Sequence, residues 1–314
     1  MNAPQSADAR QTSTGSTRAQ DAQDAQDTQD LRSGQHPDGL VTPQVLSPQR
    51  LAEVNEVYRR LALAEFATES RIGFHLAYLR TFASPRVAGL LSHTGQMQKE
   101  PRRRGTDTGL FMYELIHHGL GSEVGDEVVR RLNGMHHRFS IRNEDYVWIL
   151  GTFVVLGVRT IRRFGWRELT VFEEQASIDW YRELAARMDL TDVPETFEEF
   201  DRWFSDYEQT QLRSSPAGRQ LIAATLDTVF DPVPTPLRPL AVRAAAVLLE
   251  EPARSALGFA APGPIVRTAV HALFRLRALR RRRQPTPPSW FKPGAATSVY
   301  PQGYGLNDLG PRTQ

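Results

Sequence analysis

The chain has 314 residues, with 38 Lys and Arg against 36 Asp and Glu, and it contains no cysteine. This length suffices for one large domain or two smaller ones. Because the two signs of charge nearly cancel, the composition gives no electrostatic reason to expect a nucleic-acid partner. The absence of cysteine excludes disulfide bridges, thiolate-ligated iron, cysteine-ligated clusters and a cysteine nucleophile, and it is compatible with the cytoplasm.

Residues 1–45 are predicted to form a disordered tail. They include the low-complexity run AQDAQDAQDTQD (Ala19–Asp30) and many Ser and Thr, with almost no large apolar side chain before Leu31. Such a segment buries too little apolar surface to offset the entropy lost on ordering. The first ten residues lack the basic and then apolar order of a signal peptide, so we expect a cytoplasmic protein.

From residue 46 to residue 285 the apolar residues recur at helical spacing, and we predict one large helical domain. Prolines and capping residues, such as Ser47-Pro48 and Thr170, set several helix starts. The predicted helices, in chain order, are Pro48–Arg59, Leu61–Phe82, one opened by Pro85, Thr106–His118, Ser122–His137, Tyr146–Val158, Val171–Met188, one opened by Pro194-Glu195-Thr196, Ala217–Phe230, Pro239–Glu250 and Ile265–Arg282. Residues 286–314, rich in Pro and Gly, are predicted to pack on the domain as an extended arm.

Two of these helices allow a second interpretation. The run VWILGTFVVLGV, within Tyr146–Val158, is rich in β-branched residues, so a strand is the alternative. It is shorter than the roughly 20 apolar residues that a bilayer span needs, and we therefore predict a buried element. The helix after Thr196 carries a stripe of aromatic residues, which we interpret as core packing, with a cofactor wall as the alternative. The stripe consists of Phe197, Phe200, Trp203, Phe204 and Tyr207.

The last helix, Ile265–Arg282, has an apolar face and ends in RLRALRRRR. A solvated helix end is one interpretation, because cations interact favourably with the carbonyl end of a helix. Peripheral contact with an anionic membrane through Arg275–Arg283 is a second interpretation, because apolar and basic faces share the helix. Nucleic-acid binding has no supporting motif and is not expected.

The segment Arg102–Tyr146 collects most of the side chains suited to ligation or proton transfer. Its two predicted helices carry four of the eight histidines of the chain and are separated by a C-cap glycine, Gly119, and an N-cap serine, Ser122. His117 and His118 end the first helix, where imidazolium interacts well with the carbonyl-end dipole.

The second of these helices ends in two adjacent histidines, which differ in direction. His136 lies four positions after Leu132 and seven after Val129, so it continues an apolar stripe into the interior. His137 is turned about 100° away and is expected to face solvent or the helix edge. His136 is therefore the histidine that we single out as a candidate metal ligand.

The chain has no GxGxxG, P-loop, GxSxG or HExxH motif and no strand alternation. The common nucleotide-binding, hydrolase and zinc-protease signatures are therefore absent. A metal site built from the clustered histidines with Asp126 or Glu127 remains as an enzyme alternative.

Four short pieces, in this order, resemble the MpaB-type oxygenases, whose catalytic domain is shared with the rubber oxygenases (latex-clearing proteins). They are the RxxDT-like run Arg104–Thr108, Met135-His136 within RRLNGMHHRFSIRNEDY, FGWRELT (Phe164–Thr170) and YPQGY (Tyr300–Tyr304). The resemblance covers about residues 50–311. It implies an all-α protein, a single multi-helix domain packed around a haem pocket in a broadly globin-like way, with haem b held by a helix histidine. Unlike this chain, the rubber oxygenases are exported.

The resemblance also implies roles for individual residues. His136, with Phe139 three positions later, matches the axial iron ligand of the family. Arg104 and Thr108, four residues apart on one helical face, match haem-pocket residues, so Arg104 could pair with a propionate and Thr108 could hydrogen-bond near the distal face.

Asp107 departs from the family pattern, because the rubber oxygenases have a lysine at this place that caps the iron. The substitution puts the same distal gating in doubt and suggests a different substrate. Asp107 could orient oxygen or take a proton as a catalytic residue. Equally, it could be no more than an acid in the first turn of a helix, favoured by the helix dipole.

Together these observations predict a cytoplasmic haem b oxygenase. It would use O2 on a carbon–carbon double bond of an apolar, isoprenoid or lipid-like substrate and give carbonyl products. A haem protein that does not oxygenate, such as a sensor or a peroxidase-like protein, is one alternative. A helical interaction module without cofactor is the other. The substrate itself and the oligomeric state do not follow from the sequence.

Overall fold

A computed structural model describes residues 46–229 and 233–311. The predicted tail, residues 1–45, lies outside the described residues, as does Phe230, the predicted end of one helix. The described residues belong to one compact unit, Thr42–Gln314. Their α-helices are α1 (Pro48–Arg60), α2 (Ala67–Arg80), α3 (Pro85–Thr94), α4 (Gln96–Lys99), α5 (Pro101–His118), α6 (Glu123–His136), α7 (Asn143–Phe164), α8 (Val171–Arg187), α9 (Phe197–Gln211), α10 (Pro216–Val229), α11 (Arg238–Ala246), α12 (Ala253–Ala256) and α13 (Pro264–Arg281).

No β-strand occurs in the part of the chain that the structure describes, so the all-α prediction is confirmed. The strand alternative for Tyr146–Val158 is wrong, because these residues form the middle of α7. The predicted boundaries of tail, domain and arm stay predictions.

Capping residues place most helix starts where the sequence predicts them. The Ser47 side chain accepts a hydrogen bond from the backbone N–H of Arg50, and Ser122 caps α6 in the same way. Thr170 forms a full capping box with Glu173. These side chains satisfy backbone donors that have no partner within the helix.

Two predicted starts are corrected. Helix α5 begins at Pro101 and not near Thr106, because a proline fits the first turn, where its missing N–H is not needed. Helix α7 begins at Asn143 and not at Tyr146. The Asn143 amide exchanges hydrogen bonds with the backbone of Thr191.

The core is organised around α7, which packs against α2 and α9. A Cβ added to Gly73 would lie 3.5 Å from the Cα of Gly157, so α2 and α7 approach closely there. A Cβ added to Gly151 would lie 2.8 Å from both Phe200 and Phe204 of α9. The aromatic stripe of α9 is therefore core packing, as predicted, and not a cofactor wall.

A buried ion pair fixes α2 against α9. Arg80 is fully buried, and its Nε donates to Glu208 Oε1 at 2.8 Å. The Trp148 indole N–H lies 3.4 Å from the same oxygen. Because an unpaired charge in the interior would cost several kcal/mol, these groups depend on one another.

The FGWRELT piece forms the junction between α7 and α8. The Trp166 indole donates to the Glu65 carbonyl at 3.1 Å, and the Arg167 guanidinium pairs with Glu65 and Glu173. Glu65 ends a π-helical turn, Leu61–Glu65, that interrupts the helical run predicted from Leu61 to Phe82. A π turn changes the hydrogen-bond pattern and leaves carbonyls for other partners. This motif therefore stabilises the fold.

The C-terminal arm, defined as residues 286–311, contains no α-helix and runs along α5. Its Trp290 donates a backbone hydrogen bond to the Leu63 carbonyl in the π turn, at 3.0 Å. Tyr300 and Tyr304 reach carboxylates of α5. The arm thereby becomes a wall of the main cavity described below.

Candidate functional site

Arg104 and Thr108 form a local pair on α5. Because α5 begins at Pro101, both residues lie inside the helix, one turn apart. A guanidinium nitrogen of Arg104 donates to Thr108 Oγ1 at 2.7 Å, and the Thr108 hydroxyl donates to the Arg104 carbonyl at 2.9 Å. The pairing predicted from their spacing is present, and it holds one positive charge beside a hydroxyl.

His136 ends α6, and its ring is largely buried. The ring lies edge-on to Tyr146, with centroids 5.6 Å apart. Its Nδ1 is inaccessible to solvent and makes no hydrogen bond of normal geometry, although the backbone of Leu132, one turn earlier, interacts with the ring. His137, the next residue, is exposed. The two histidines therefore point in different directions, as their helical spacing predicts.

Burial lowers the pKa of His136 to about 4, and the positive charge of Arg104 adds to this effect. The carbonyl of Leu132 opposes the shift. At neutral pH the imidazole is therefore uncharged and retains a lone pair. An uncharged imidazole with a buried, unpaired nitrogen is the form that binds metal ions.

A cavity of about 760 Å³ opens beside the Thr108 side of α5. Its volume is in the range of sites for small molecules and cofactors. Its walls include seven aromatic side chains and come from α2, α5, α7, α10 and the arm. The aromatic lining consists of Phe74, Tyr78, Tyr113, Phe153, Trp290, Phe291 and Tyr304.

Thr108 lines this cavity, whereas His136 and Asp107 do not. Arg104 connects the two regions, because its charge acts on both Tyr78, in the cavity wall, and His136. Burial raises the pKa of Tyr78 to about 12, with Arg104 opposing, so its hydroxyl stays protonated. The structure thus brings Arg104 close to both Thr108 and His136, and of these three residues Thr108 lines the cavity.

Asp107 faces the arm. The carboxylate is 1% exposed and accepts hydrogen bonds from the Tyr300 hydroxyl at 2.6 Å and from the Gly310 N–H at 3.1 Å. Arg103 lies 3.6 Å away on the same helix. Asp107 lies in the second turn of α5, so its interpretation as a first-turn acid is wrong. Its catalytic role stays a prediction, and its contacts favour a role in holding the arm.

Glu114 repeats this arrangement two turns later, and the sequence analysis missed it. It is 3% exposed, accepts the Tyr304 hydroxyl at 2.6 Å and lies 3.2 Å from His118. Asp107 and Glu114 are seven residues apart, which places them on one helical face. The tyrosines of YPQGY are four residues apart. The sequence signal for these two contacts was a pair of acids seven residues apart in α5 and a pair of tyrosines four residues apart in YPQGY.

His117 has the only other histidine nitrogen among the described residues that is buried without a hydrogen-bond partner. Its ring lies edge-on to Phe291, and burial lowers its pKa. It lies in the last turn of α5 as predicted, but the lowered pKa disfavours the charged imidazolium that the predicted interaction with the helix dipole requires. It is nevertheless the natural comparison for His136 in any ligand experiment.

The alternative metal site built from histidines and acids gains no support. No cluster of three or more His, Asp or Glu with ligand geometry occurs in residues 46–229 and 233–311. Asp126 pairs with Arg187 and Glu127 with Arg131. Both carboxylates are therefore already paired with arginines.

Comparison with known proteins agrees with this architecture. The family described as "ER-bound oxygenase mpaB/B'/Rubber oxygenase, catalytic domain" matches residues 51–282. ER-bound oxygenase mpaB' of Penicillium brevicompactum is 24% identical over 226 residues, covering 66% of this chain and 53% of that protein. ER-bound oxygenase mpaB of the same fungus is 26% identical over 182 residues, covering 52% and 46%. The chain spans about half the length of these two relatives.

A solved structure, that of latex clearing protein LCP in the closed state, superposes with a TM-score of 0.54 and 15% identity. The superposition covers 87% of this chain and 83% of that chain. At this low identity it shows that the two chains share a fold, and no more. Within the described ranges, no helix combines the length and hydropathy that crossing a bilayer requires. The family match extends over most of the chain, and the chain therefore belongs to the mpaB/rubber oxygenase catalytic-domain family.

Proposed function

We propose that the protein is a haem b-dependent oxygenase that uses O2 to cleave a carbon–carbon double bond in an apolar, isoprenoid or lipid-like substrate. The observation that carries the proposal is the His136 ring, uncharged and buried, with a nitrogen that has no partner. Leaving a buried polar atom unpaired costs about 1–3 kcal/mol. In haem proteins with a single proximal histidine, an uncharged imidazole of this kind is the ligand that binds the iron.

The residues around His136 fit the remaining needs of haem b. The haem carries propionate charges, and Arg104 is the cation whose field reaches His136. Thr108 supplies a hydroxyl that lines the cavity, and because its proton is donated to the Arg104 carbonyl, its remaining lone pair can accept a hydrogen bond from a bound group. With no cysteine in the chain, a thiolate ligand is excluded, so His136 is the axial ligand in this proposal.

Haem b, when bound, supplies the activation of O2. The chain itself supplies orientation and exclusion of water. The aromatic side chains in the cavity wall offer an apolar surface that suits an apolar chain. Tyr78 and Tyr113, each with a pKa raised to about 12 by burial, stay protonated and present hydroxyls without charge.

The proposed reaction balances without an added reductant. One carbon–carbon double bond and one O2 give two carbonyl groups, so both oxygen atoms enter the products. Breaking the bond in this way yields two shorter apolar carbonyl compounds. Asp107 is not needed as a proton carrier in this scheme, which agrees with its contacts to the arm.

The test supplies haem to the purified protein and offers squalene, a linear isoprenoid alkene, under ¹⁸O2. We expect paired carbonyl products that each carry one ¹⁸O atom, and no product from His136→Ala. His137→Ala, at an exposed neighbouring position, serves as the matched control and keeps activity. A Soret band without any carbonyl product from a panel of isoprenoid and unsaturated lipid substrates would favour a sensor or peroxidase-like protein. A folded protein that stays colourless with haem would leave the cofactor-free helical module.

A further inference from the structure

The outward face of α13 is apolar although nothing in the described structure covers it. Ile265, Leu273, Leu276 and Leu279 are 83%, 66%, 48% and 51% exposed. Their positions differ by three to fourteen residues, at steps that return to one side of a helix. Single exposed aliphatic residues are ordinary, but four on one helical face form a patch.

The opposite face of α13 is firmly packed, so the helix orientation is fixed. Phe274 packs against Phe164 of α7 with ring centroids 4.3 Å apart. Arg277 forms an ion pair with the fully buried Glu69 of α2. The exposed leucines therefore cannot turn inward without breaking a buried ion pair and an aromatic contact.

The stretch of sequence that contains the patch is rich in positive charge and has no acidic residue. Residues 252–307 contain eight arginines and one lysine but no Asp or Glu. Arg280 and Arg283 lie on the exposed side of the helix, beside the leucines. A groove of about 290 Å³ runs between Leu273, Leu276 and the arginines of the last turns. Leu237 and Leu240, beside α13 on the preceding segment, are also more than half exposed.

We propose that this face of α13, named here the leucine–arginine face, docks on the surface of a bilayer that contains anionic phospholipids. The leucines would enter the boundary between headgroups and acyl chains, and the arginines would pair with headgroup phosphates. A second copy of the chain fits less well, because a symmetric contact would place arginines against arginines. Nucleic acid fits less well because the exposed centre of the face is aliphatic and offers no stacking rings.

The leucine–arginine face lies near the arm wall of the cavity. Arg281 of α13 lies over the Trp166 ring at 5.3 Å, and Trp166 donates to the Glu65 carbonyl in the π turn. The same turn receives the backbone N–H of Trp290, which is 37% exposed and lines the cavity. If the proposed function holds, a docked α13 brings the cavity close to the lipid phase that dissolves an apolar substrate.

The experiment measures co-sedimentation of the full chain with phosphatidylcholine vesicles, with and without about one third phosphatidylserine. Two double variants are tested, one in the leucines (Leu273→Ser/Leu276→Ser) and one in the arginines (Arg280→Gln/Arg283→Gln). Val171→Ser, at an 89% exposed residue of α8, and Arg202→Gln, at an exposed residue of α9, are matched controls. Circular dichroism confirms that every variant keeps its helix content. No haem, O2 or substrate is present, so the result is independent of the proposed oxygenase activity.

We expect binding to the phosphatidylserine vesicles that weakens as salt increases. The arginine pair should weaken it roughly thirtyfold, at the usual contribution of a basic side chain near an anionic surface. The leucine pair should weaken it about tenfold or more, and the controls should not change it. Equal binding by all variants, no preference for phosphatidylserine, or self-association in place of vesicle binding would overturn the proposal.

Discussion

Two neighbouring regions around α5 differ in how completely their buried polar groups are paired. On the arm side, Asp107 and Glu114 each accept a tyrosine hydroxyl at 2.6 Å from the YPQGY segment. On the side of Arg104, the Nδ1 of His136 is equally hidden from solvent but has no partner among the described residues. Paired buried groups stabilise a fold, whereas an unpaired buried group destabilises it unless water, an ion or a ligand supplies the partner.

This difference divides the four motif pieces by role. FGWRELT joins α7 to α8, and YPQGY ties the arm to α5, so both hold structure. The residues of the RxxDT-like run have two different roles. Asp107 accepts hydrogen bonds from the arm, whereas Arg104 and Thr108 belong to the candidate site. The presence of a family motif therefore does not by itself show that its residues are catalytic.

The largest effect on stability is expected from Asp107→Ala. The change removes the acceptor of a tyrosine hydroxyl and a backbone N–H in a buried place, and it leaves Arg103 without its carboxylate. We expect a loss of about 3 kcal/mol in the free energy of unfolding, measured by urea denaturation. Asp126→Ala, at a half-exposed ion pair, should cost less than about 1 kcal/mol. Unchanged stability with loss of oxygenase activity would instead assign Asp107 to catalysis.

The second prediction concerns pH and the protein without haem. The pKa of His136 is about 4 in the folded state and about 6.5 when unfolded. The unfolded state therefore binds the proton first as pH falls, so this contribution to stability is intact above about pH 6.5 and is lost between there and pH 4. From pH 7 to pH 5 the wild type should lose about 2 kcal/mol more than His136→Ala. Parallel profiles for the two proteins would contradict the buried, unpaired ring.

Smaller effects are expected from the arm tyrosines. Tyr300→Phe and Tyr304→Phe each remove one hydroxyl from a buried carboxylate, at about 1 kcal/mol each. Hydrogen exchange should become faster in residues 286–311, because the arm loses one of its hydrogen bonds to α5. Unchanged exchange in both variants would show that the arm is held by its apolar contacts alone.

The smallest effect is expected from Thr108→Val. It removes the acceptor for the Arg104 guanidinium and the donor to the Arg104 carbonyl, in a partly exposed place. The free energy of unfolding should fall by about 0.5–1 kcal/mol, while Thr108→Ser keeps both bonds and stays near wild type. A larger loss in Thr108→Ser than in Thr108→Val would show that the methyl group and not the hydroxyl matters.

Much of the fold was predictable because local signals set it. Ser47, Ser122 and Thr170 mark helix starts by their hydroxyls, and aromatic residues at helical spacing mark the core face of α9. The predicted start of α5 at Thr106 was too late, although a proline such as Pro101 is suited to the first turn of a helix. The π turn had no sequence signal.

The candidate site was only partly predictable. Helical spacing separates His136 from His137 and joins Arg104 to Thr108, since these are contacts within one helix. The partners of Asp107 and Glu114 lie about 190 residues away in the chain. Such pairings depend on tertiary packing, and no local pattern in α5 distinguishes an acid that faces a cavity from one that faces the arm.

The most direct test of the central claim is an absorption spectrum of protein supplied with haem, recorded for wild type, His136→Ala, His137→Ala and His117→Ala. His117 is the sharpest control, because it too has a buried and unpaired ring nitrogen. We predict a Soret band in wild type and in the His137 and His117 variants, and its loss in His136→Ala alone. A band that survives in His136→Ala and disappears in His117→Ala, or no band in folded wild type, would contradict the assignment of His136 as the haem ligand.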